Sequence, residues 1–247
     1  MDQQLTGRTA VVTGGNKGLG LAMAEALLAE GCQVVCASRT PGRTGGLRER
    51  FGERVLHHET DVTSPESVAA VLRAAEDAFG GVDIVVSNAA VRHDGFVKKL
   101  SVEHWRETVD TCLTATFLLT NAAIPHLTRR GGGRIINVSS GMARRPTPGA
   151  AAYSAAKAGV EMFTKTSAIE LARYGITVNC LSPGLFDLGM GLDLQQVPGL
   201  WEKHLAKIPL GRAGTGEDIG RALVYLCTAA SSYVNGHVLE VDGGYLG

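Results

Sequence analysis

The sequence has no excess of either charge: 24 Lys and Arg balance 24 Asp and Glu across 247 residues. Nothing in that balance draws the chain to nucleic acid or to an anionic membrane surface, so neither is expected as a partner. Long apolar runs are missing too. The longest uncharged stretch, Thr111 to Thr128, contains several Thr, an Asn and a Pro. It falls short of the roughly 20 apolar residues that span a bilayer, and it reads as a buried helix. No basic, apolar and small-residue leader precedes the first strand-like run, so export is not expected. Cysteine is sparse: Cys32, Cys36, Cys112, Cys180 and Cys227 are odd in number and scattered. That pattern points to free thiols in a reducing cytoplasm. Cys32 and Cys36 have a spacing that metal sites use, but no histidine cluster accompanies them. They read as small buried side chains, and no metal is expected.

What the sequence has is alternation. Strand-length apolar runs at Ala10–Thr13, Gln33–Ser38, Val55–His58, Ile84–Ser87, Arg134–Ser139, Thr177–Ser182 and His237–Val241 are separated by segments that can each hold a helix. Short, near-continuous Val and Ile runs fit parallel strands covered on both faces. The expected architecture is α/β: a single domain over residues 1–247 with a doubly wound, seven-stranded parallel sheet of Rossmann type. Ligands bind such sheets in the crevice beyond the carboxyl ends of the strands. Thr40–Gly46 reads as a polar, Gly-rich turn.

The first strand runs into Thr13-Gly14-Gly15-Asn16-Lys17-Gly18-Leu19-Gly20, after which a helical pattern begins. Glycines at 14, 18 and 20 suit a tight turn, a bare backbone against a pyrophosphate and close packing of helix on sheet. The helix N-terminus then offers free N–H groups to an anion. Further on, Tyr153 and Lys157 are four residues apart in a segment rich in helix formers, so they share a helical face. A tyrosine with an unperturbed pKa of about 10 relays protons poorly at neutral pH, and a nearby ammonium favours its phenolate form.

These stretches, with Asp61-Val62, Ser87-Asn88-Ala89-Ala90, Ser140, Ser182-Pro183-Gly184 and Val241-Asp242-Gly243-Gly244, give the chain an end-to-end resemblance to the short-chain dehydrogenase/reductase family. The pattern is most similar to 3-oxoacyl-acyl-carrier-protein reductase-like and polyketide ketoreductase-like members. The resemblance implies hydride transfer with a nicotinamide cofactor held by the glycine loop and Pro183-Gly184. It also implies that Asp61 bonds the adenine amino group with Val62 packing nearby, and that Asn88, beside Ala89, braces the loop under the adenosine ribose. Ser140, thirteen residues before Tyr153, would donate to the substrate carbonyl, with Ser139 the neighbouring alternative. Tyr153 would deliver the proton and Lys157 would hold the nicotinamide ribose.

The second strand ends in Ser38 and Arg39, where an enzyme using NAD usually has an acidic residue. Arg39 and Lys17 are expected to hold a ribose 2′-phosphate, so NADPH is the expected cofactor; the plainer reading is two solvated loop cations. Three positions depart from the family pattern. Ala90 replaces a glycine and would cost about 1 kcal/mol if the backbone there needs positive φ. Cys112 replaces an asparagine whose main-chain carbonyl holds a water on the proton path, and its own carbonyl is expected to serve. Leu188 replaces a threonine that contacts the nicotinamide carboxamide.

Residues 185–210 are expected to form a substrate lid. The apolar Phe186, Leu188, Met190, Leu192, Leu194, Val197, Leu200 and Trp201 either line a pocket for a bulky ketone or pack the loop. Arg92, His93, Arg144 and Arg145 are expected near its mouth, either solvated or receiving an acidic group or an acyl carrier protein, with His93 a weaker candidate for a second acid. By resemblance, Thr111–Leu127 and Ala152–Tyr174 pair copies into dimers or tetramers. The leading expectation is an NADPH-dependent ketoreductase. An NAD(P)-dependent alcohol dehydrogenase and a cofactor-binding regulator with a degraded site are the alternatives.

Overall fold

The computed structural model describes residues 5–245. Seven strands form one sheet: β1 (Thr9–Thr13), β2 (Gln33–Ser38), β3 (Val55–Glu59), β4 (Ile84–Ser87), β5 (Gly133–Val138), β6 (Ile176–Pro183) and β7 (Val238–Val241). All pairs are parallel and the spatial order is β3-β2-β1-β4-β5-β6-β7. The order reverses between β1 and β4, which opens a crevice there at the carboxyl ends of the strands.

Successive side chains on each strand enter different cores, because strand side chains alternate between faces. Ala10, Val12, Val34, Ile84, Val86 and Ile136 pack with Met23, Leu27 and Leu223. These last three lie on α1 (Gly18–Ala29) and α9 (Gly216–Cys227). Val11, Val35, Val85, Ile135 and Val178 face the other way, onto Val71, Leu72, Leu119, Leu127 and Leu171. Those belong to α3 (Pro65–Phe79), α5 (Ala115–Arg129) and α6 (Ala151–Leu171). Each such buried Val, Leu, Ile or Met side chain contributes roughly 1.5–3 kcal/mol, so the sheet is a rigid platform for the loops at its carboxyl edge.

Local sequence fixes the helix ends. Ser64 caps α3 by accepting from Ser67 N at 3.1 Å, Pro65 occupies the first turn, and Gly80 ends it with φ 81°. Thr215 and Asp218 form a reciprocal capping box on α9.

Two expected segments differ. The Gly-rich stretch at Thr40–Gly46 is a turn only in its first half, since α2 (Thr44–Phe51) starts within it. The expected helix from Thr111 is not an independent start: α4 (Val102–Val109) runs through a π turn (Asp110–Thr114) directly into α5. Residues 185–210 hold two short helices, α7 (Gly191–Gln195) and α8 (Leu200–Leu205). Among the described residues, no helix is long and apolar enough to cross a membrane.

Candidate active site

The loops after β1 and β4 are laced together by Thr13. Its hydroxyl accepts the Asn88 and Ala89 N–H groups at 2.9 and 3.1 Å and donates to the Val86 carbonyl at 3.3 Å. Asn88 returns the contact, Nδ2 donating to the Thr13 carbonyl at 2.9 Å. Gly14 has φ 65°, and a Cβ on Gly20 would lie 2.1 Å from the Gly14 carbonyl oxygen. Only glycine closes this turn so tightly. No side chain caps the N-terminus of α1, and no acidic residue lies in its first turn. Its amide groups and positive dipole end are therefore available to an anion. Cradle and donors together fit the pyrophosphate of a dinucleotide. Ala90 carries no strain, because no described residue other than glycine has positive φ.

Across the crevice, α6 carries Tyr153 (6% exposed) and Lys157 (2% exposed). Lys157 Nζ lies 5.6 Å from the centre of the Tyr153 ring and donates to the Val138 carbonyl at 2.7 Å. A buried ammonium is tolerable only with such partners. The two serines after β5 are distinguished by their bonds. Ser139 Oγ donates to Glu161 Oε1 at 3.0 Å and approaches the Lys157 carbonyl at 3.2 Å. Among the described residues, Ser140 Oγ only accepts, from Met142 N at 3.2 Å, capping the short turn Gly141–Ala143. The Ser140 proton is thus uncommitted, and this hydroxyl, not its neighbour's, is free to donate.

One cavity of about 430 Å³ brings these groups together. Its wall includes Gly14, Asn16, Lys17, Gly18, Leu19 and Gly20, then Asn88 and Ala89, then Ser140, Tyr153 and Lys157, and finally Pro183 and Gly184. Ser38, Arg39, Asp61 and Val62 are not part of that wall. They lie at and just beyond the carboxyl ends of β2, which is next in the sheet to β1, and of β3, which lies beyond β2. Ser38 Oγ donates to the Thr40 carbonyl at 2.8 Å, and Asn16 Nδ2 reaches the same carbonyl at 3.0 Å. Asp61 Oδ1 accepts from the Thr63 hydroxyl and N–H at 2.7 and 2.9 Å. Those bonds, with help from the Arg39 charge, hold its carboxyl below the usual range. Arg39 and Lys17 are both exposed.

Several expectations need correction. Cys112 is outside the cavity wall. It is fully buried on the π turn against Tyr153 and Ala156, its thiol donates to the Val91 carbonyl at 3.4 Å, and its carbonyl accepts the Thr116 hydroxyl at 2.9 Å. Arg144 and Arg145 are not free at the mouth. Arg144 pairs with Glu161 and Glu240, and Arg145 pairs with Asp242 at 3.5 Å and lies over the Tyr245 ring. His93 bonds Glu107 at 2.8 Å, stacks on His104 and is not part of the cavity wall. Arg92 does line the cavity, held by a two-pronged pair with Asp94. Of the eight apolar lid residues, Phe186, Leu188, Met190 and Leu194 line the wall, whereas Leu192 and Val197 are exposed and Leu200 and Trp201 take no part in it. Burial pushes the Cys32 and Cys36 thiols up to about 12, which makes them poor nucleophiles and metal ligands.

A second cavity of about 450 Å³ lies near the amino ends of the strands, among Arg8, Asp83, Arg130 and Arg134. Its wall holds no set of hydroxyl, phenol and ammonium like that of the first.

Comparison with known proteins places this geometry. A family model described as enoyl-(acyl carrier protein) reductase matches residues 14–246. The chain belongs to the short-chain dehydrogenase/reductase family. Within that family it is 37% identical over 240 residues to the 3-oxoacyl-(acyl-carrier-protein) reductase FabG of Vibrio cholerae, covering 97% of this chain and 98% of the relative. The FabG of Escherichia coli is 34% identical over 240 residues, covering 96% and 97%. Among solved short-chain dehydrogenase/reductase structures, a protein from Sinorhizobium meliloti assigned as a short-chain alcohol dehydrogenase superposes with TM-score 0.94 at 34% identity, covering 99% of this chain and 98% of that one. A protein from Agrobacterium tumefaciens assigned as a 2-deoxy-D-gluconate 3-dehydrogenase, solved with bound NADP, gives TM-score 0.91 at 35% identity, with the same coverage. The chain is an oxidoreductase of this family.

Sequence reasoning missed two contributors. Thr13 was visible only as part of the glycine motif. Glu161 had a readable signal, an acidic residue four positions after Lys157 on the same helical face.

Proposed function

We propose that this protein reduces a ketone to a secondary alcohol with NADPH. The observation that carries the reading is the meeting of the Ser140 hydroxyl, the Tyr153 phenol and the Lys157 ammonium in the cavity that also holds the glycine loop. NADPH, when bound, supplies the hydride. The α1 N-terminus would hold its pyrophosphate, and Arg39 with Lys17 its 2′-phosphate. Asp61, Val62, Asn88 and Ala89 would border the adenosine, and Pro183 and Gly184 the nicotinamide end.

As negative charge grows on the carbonyl oxygen, the Ser140 O–H donates to it and Tyr153 transfers its proton. An ammonium has three protons. Lys157 spends one on the Val138 carbonyl, which leaves two for the ribose hydroxyls, while its charge steadies the phenolate left after proton transfer. Cys112 would shape the floor beneath Tyr153.

The substrate class that fits is a β-ketoacyl thioester or another bulky ketone, because Leu188, Met190 and Leu194 give the wall an apolar side. The names of the FabG relatives support a carrier-bound acyl chain. Residues 185–210 would act as the lid of a single domain spanning 1–247. We also assign the protein to the cytoplasm and to a homodimer or homotetramer joined through α5 and α6, on which Phe117, Met162 and Ile169 are 48%, 62% and 81% exposed. A second reading, the same chemistry run as alcohol oxidation with Tyr153 as base, is favoured by the dehydrogenases among the solved structures.

The test is NADPH oxidation against a panel of β-ketoacyl thioesters and bulky ketones, with secondary alcohols and NADP run in parallel. Turnover of at least one ketone is expected, reduced about 100-fold or more in Tyr153→Phe. A panel in which no ketone consumes NADPH while alcohols are oxidised would transfer the assignment to the second reading.

A further inference from the structure

Glu161 lies on α6 four residues beyond Lys157 and is 7% exposed. A carboxylate at that depth gives up its hydration and persists only where its oxygens are bonded. Both oxygens are taken. Oε1 accepts from Ser139 Oγ at 3.0 Å, and Oε2 accepts from Arg144 Nε at 2.8 Å. Those donors flank the turn that carries Ser140: Ser139 comes immediately before it, and Arg144 immediately after Gly141–Ala143. One carboxylate therefore holds both ends of segment 139–144 against α6. The helix reinforces the same junction elsewhere, since Lys157 Nζ bonds Val138 O and Ser139 Oγ reaches Lys157 O. On its outer side Arg144 pairs with Glu240, at the next strand but one, so the guanidinium is fixed from two directions.

We infer that Glu161 is a positioning residue which sets the Ser140 hydroxyl against Tyr153 and Lys157 by anchoring both ends of the Ser140 turn to the helix that bears them. Glu161 is absent from the cavity wall and acts through Ser140. The inference rests on the reading of Ser140 as the carbonyl donor. Its ceiling follows from that role: deleting one preorganised donor to a developing oxyanion costs about 100- to 1,000-fold in kcat, and a displacement of about 1 Å can cost about 100-fold. The competing account makes Glu161 a stabilising ion pair with no bearing on Ser140.

Two measurements separate them. The first is a crystal structure of Glu161→Ala without substrate: the inference expects Ser140 Oγ to move by about 1 Å or more relative to the α6 backbone, with Tyr153 and Lys157 in place. The second is a kinetic cycle of wild type, Glu161→Ala, Ser140→Ala and the double variant. The probe is the acetoacetyl thioester of N-acetylcysteamine with NADPH. Glu161→Ala is expected to lower kcat about 10- to 100-fold with KM within about twofold, and to have less than about a threefold effect once Ser140 is already alanine. Ser140 unmoved in the crystal, or the full Glu161→Ala loss persisting in the Ser140→Ala background, overturns the inference. If Ser140→Ala leaves turnover intact, the carbonyl-donor reading fails instead, and the crystal alone decides whether Glu161 places the turn. Should Glu161→Ala not fold, Ser139→Ala and Arg144→Ala each cut one anchor, and the same displacement and non-additivity are expected at smaller size.

Discussion

Lys157 and Val138 are joined by a buried hydrogen bond, the ammonium donating to the main-chain carbonyl at 2.7 Å. The bond ties the middle of α6 to the end of β5, and it holds the cation 5.6 Å from the centre of the Tyr153 ring. Lys157→Ala removes the donor and leaves that carbonyl buried without it. The expected result is loss of turnover by about 100-fold or more, weaker binding of the reduced cofactor, and a drop in stability of about 1–3 kcal/mol. Steady-state kinetics, fluorescence titration and urea unfolding check the three parts separately.

Arg39 is exposed and sits beyond β2, beside Asp61. If it clamps a 2′-phosphate, Arg39→Ala removes charge-assisted bonds worth about 1.5–3 kcal/mol, and NADPH affinity falls about 10- to 100-fold. NADH affinity should stay within about twofold, since no phosphate is lost there. Equal weakening of both cofactors would count against the clamp.

Gly20 admits no side chain. A Cβ there would lie 2.1 Å from the Gly14 carbonyl oxygen and 2.5 Å from Asn88 Nδ2, so backbone must move. Gly20→Ala is expected to cost about 1–3 kcal/mol and to weaken cofactor binding. Gly45→Ala, where nothing lies within 4 Å, is the control, and paired thermal melts distinguish the two.

Asp83 gives the fold a pH dependence. It is 4% exposed, and although burial pushes its carboxyl up, bonds from Thr9 N–H, Arg8 and Arg130 at 2.9, 2.8 and 3.1 Å outweigh that and hold it below the ordinary value. A depressed carboxyl stabilises the fold fully above its unfolded pKa of about 3.9 and loses that contribution as pH falls through the lower folded value. Asp83→Asn should therefore be less stable than wild type by about 1.5–3 kcal/mol at pH 7. The gap should narrow as pH drops below about 4. Urea midpoints for both proteins across that range test it, and a gap that does not change with pH would refute the assignment.

Much of this architecture is legible in the amino-acid sequence, because doubly covered strands must be apolar on both faces. The Val and Ile runs consequently mark strands to within about one residue at either end, a good result for boundaries that assignment methods themselves place differently. The glycine loop and the Tyr153–Lys157 pair are legible for a related reason, since their chemistry demands fixed local spacing. Long-range pairing is not. Arg144 reads as a free cation until folding brings Glu240 to it across 96 residues of chain, and Arg145 likewise until Asp242 and Tyr245 arrive. The π turn escapes as well. Hydrophobic periodicity averages over several turns, and a short i→i−5 segment at the entrance to the uncharged run beginning at Thr111 leaves its average unchanged.

That turn makes the length of the helical path through Asp110–Thr114 a matter of registry. Each residue of an α-helix advances the face by about 100°. Deleting a single amino acid there would restore ordinary winding and leave Leu119, Ala123 and Leu127 on the sheet, because an i→i−5 turn holds one residue more than an i→i−4 turn over nearly the same arc; the change falls on the packing of Cys112 beneath Tyr153. The same deletion a turn later, inside α5, would rotate everything beyond it by about 100° and take Leu127 off its core; of this helical path, the π turn is the part with a residue to spare.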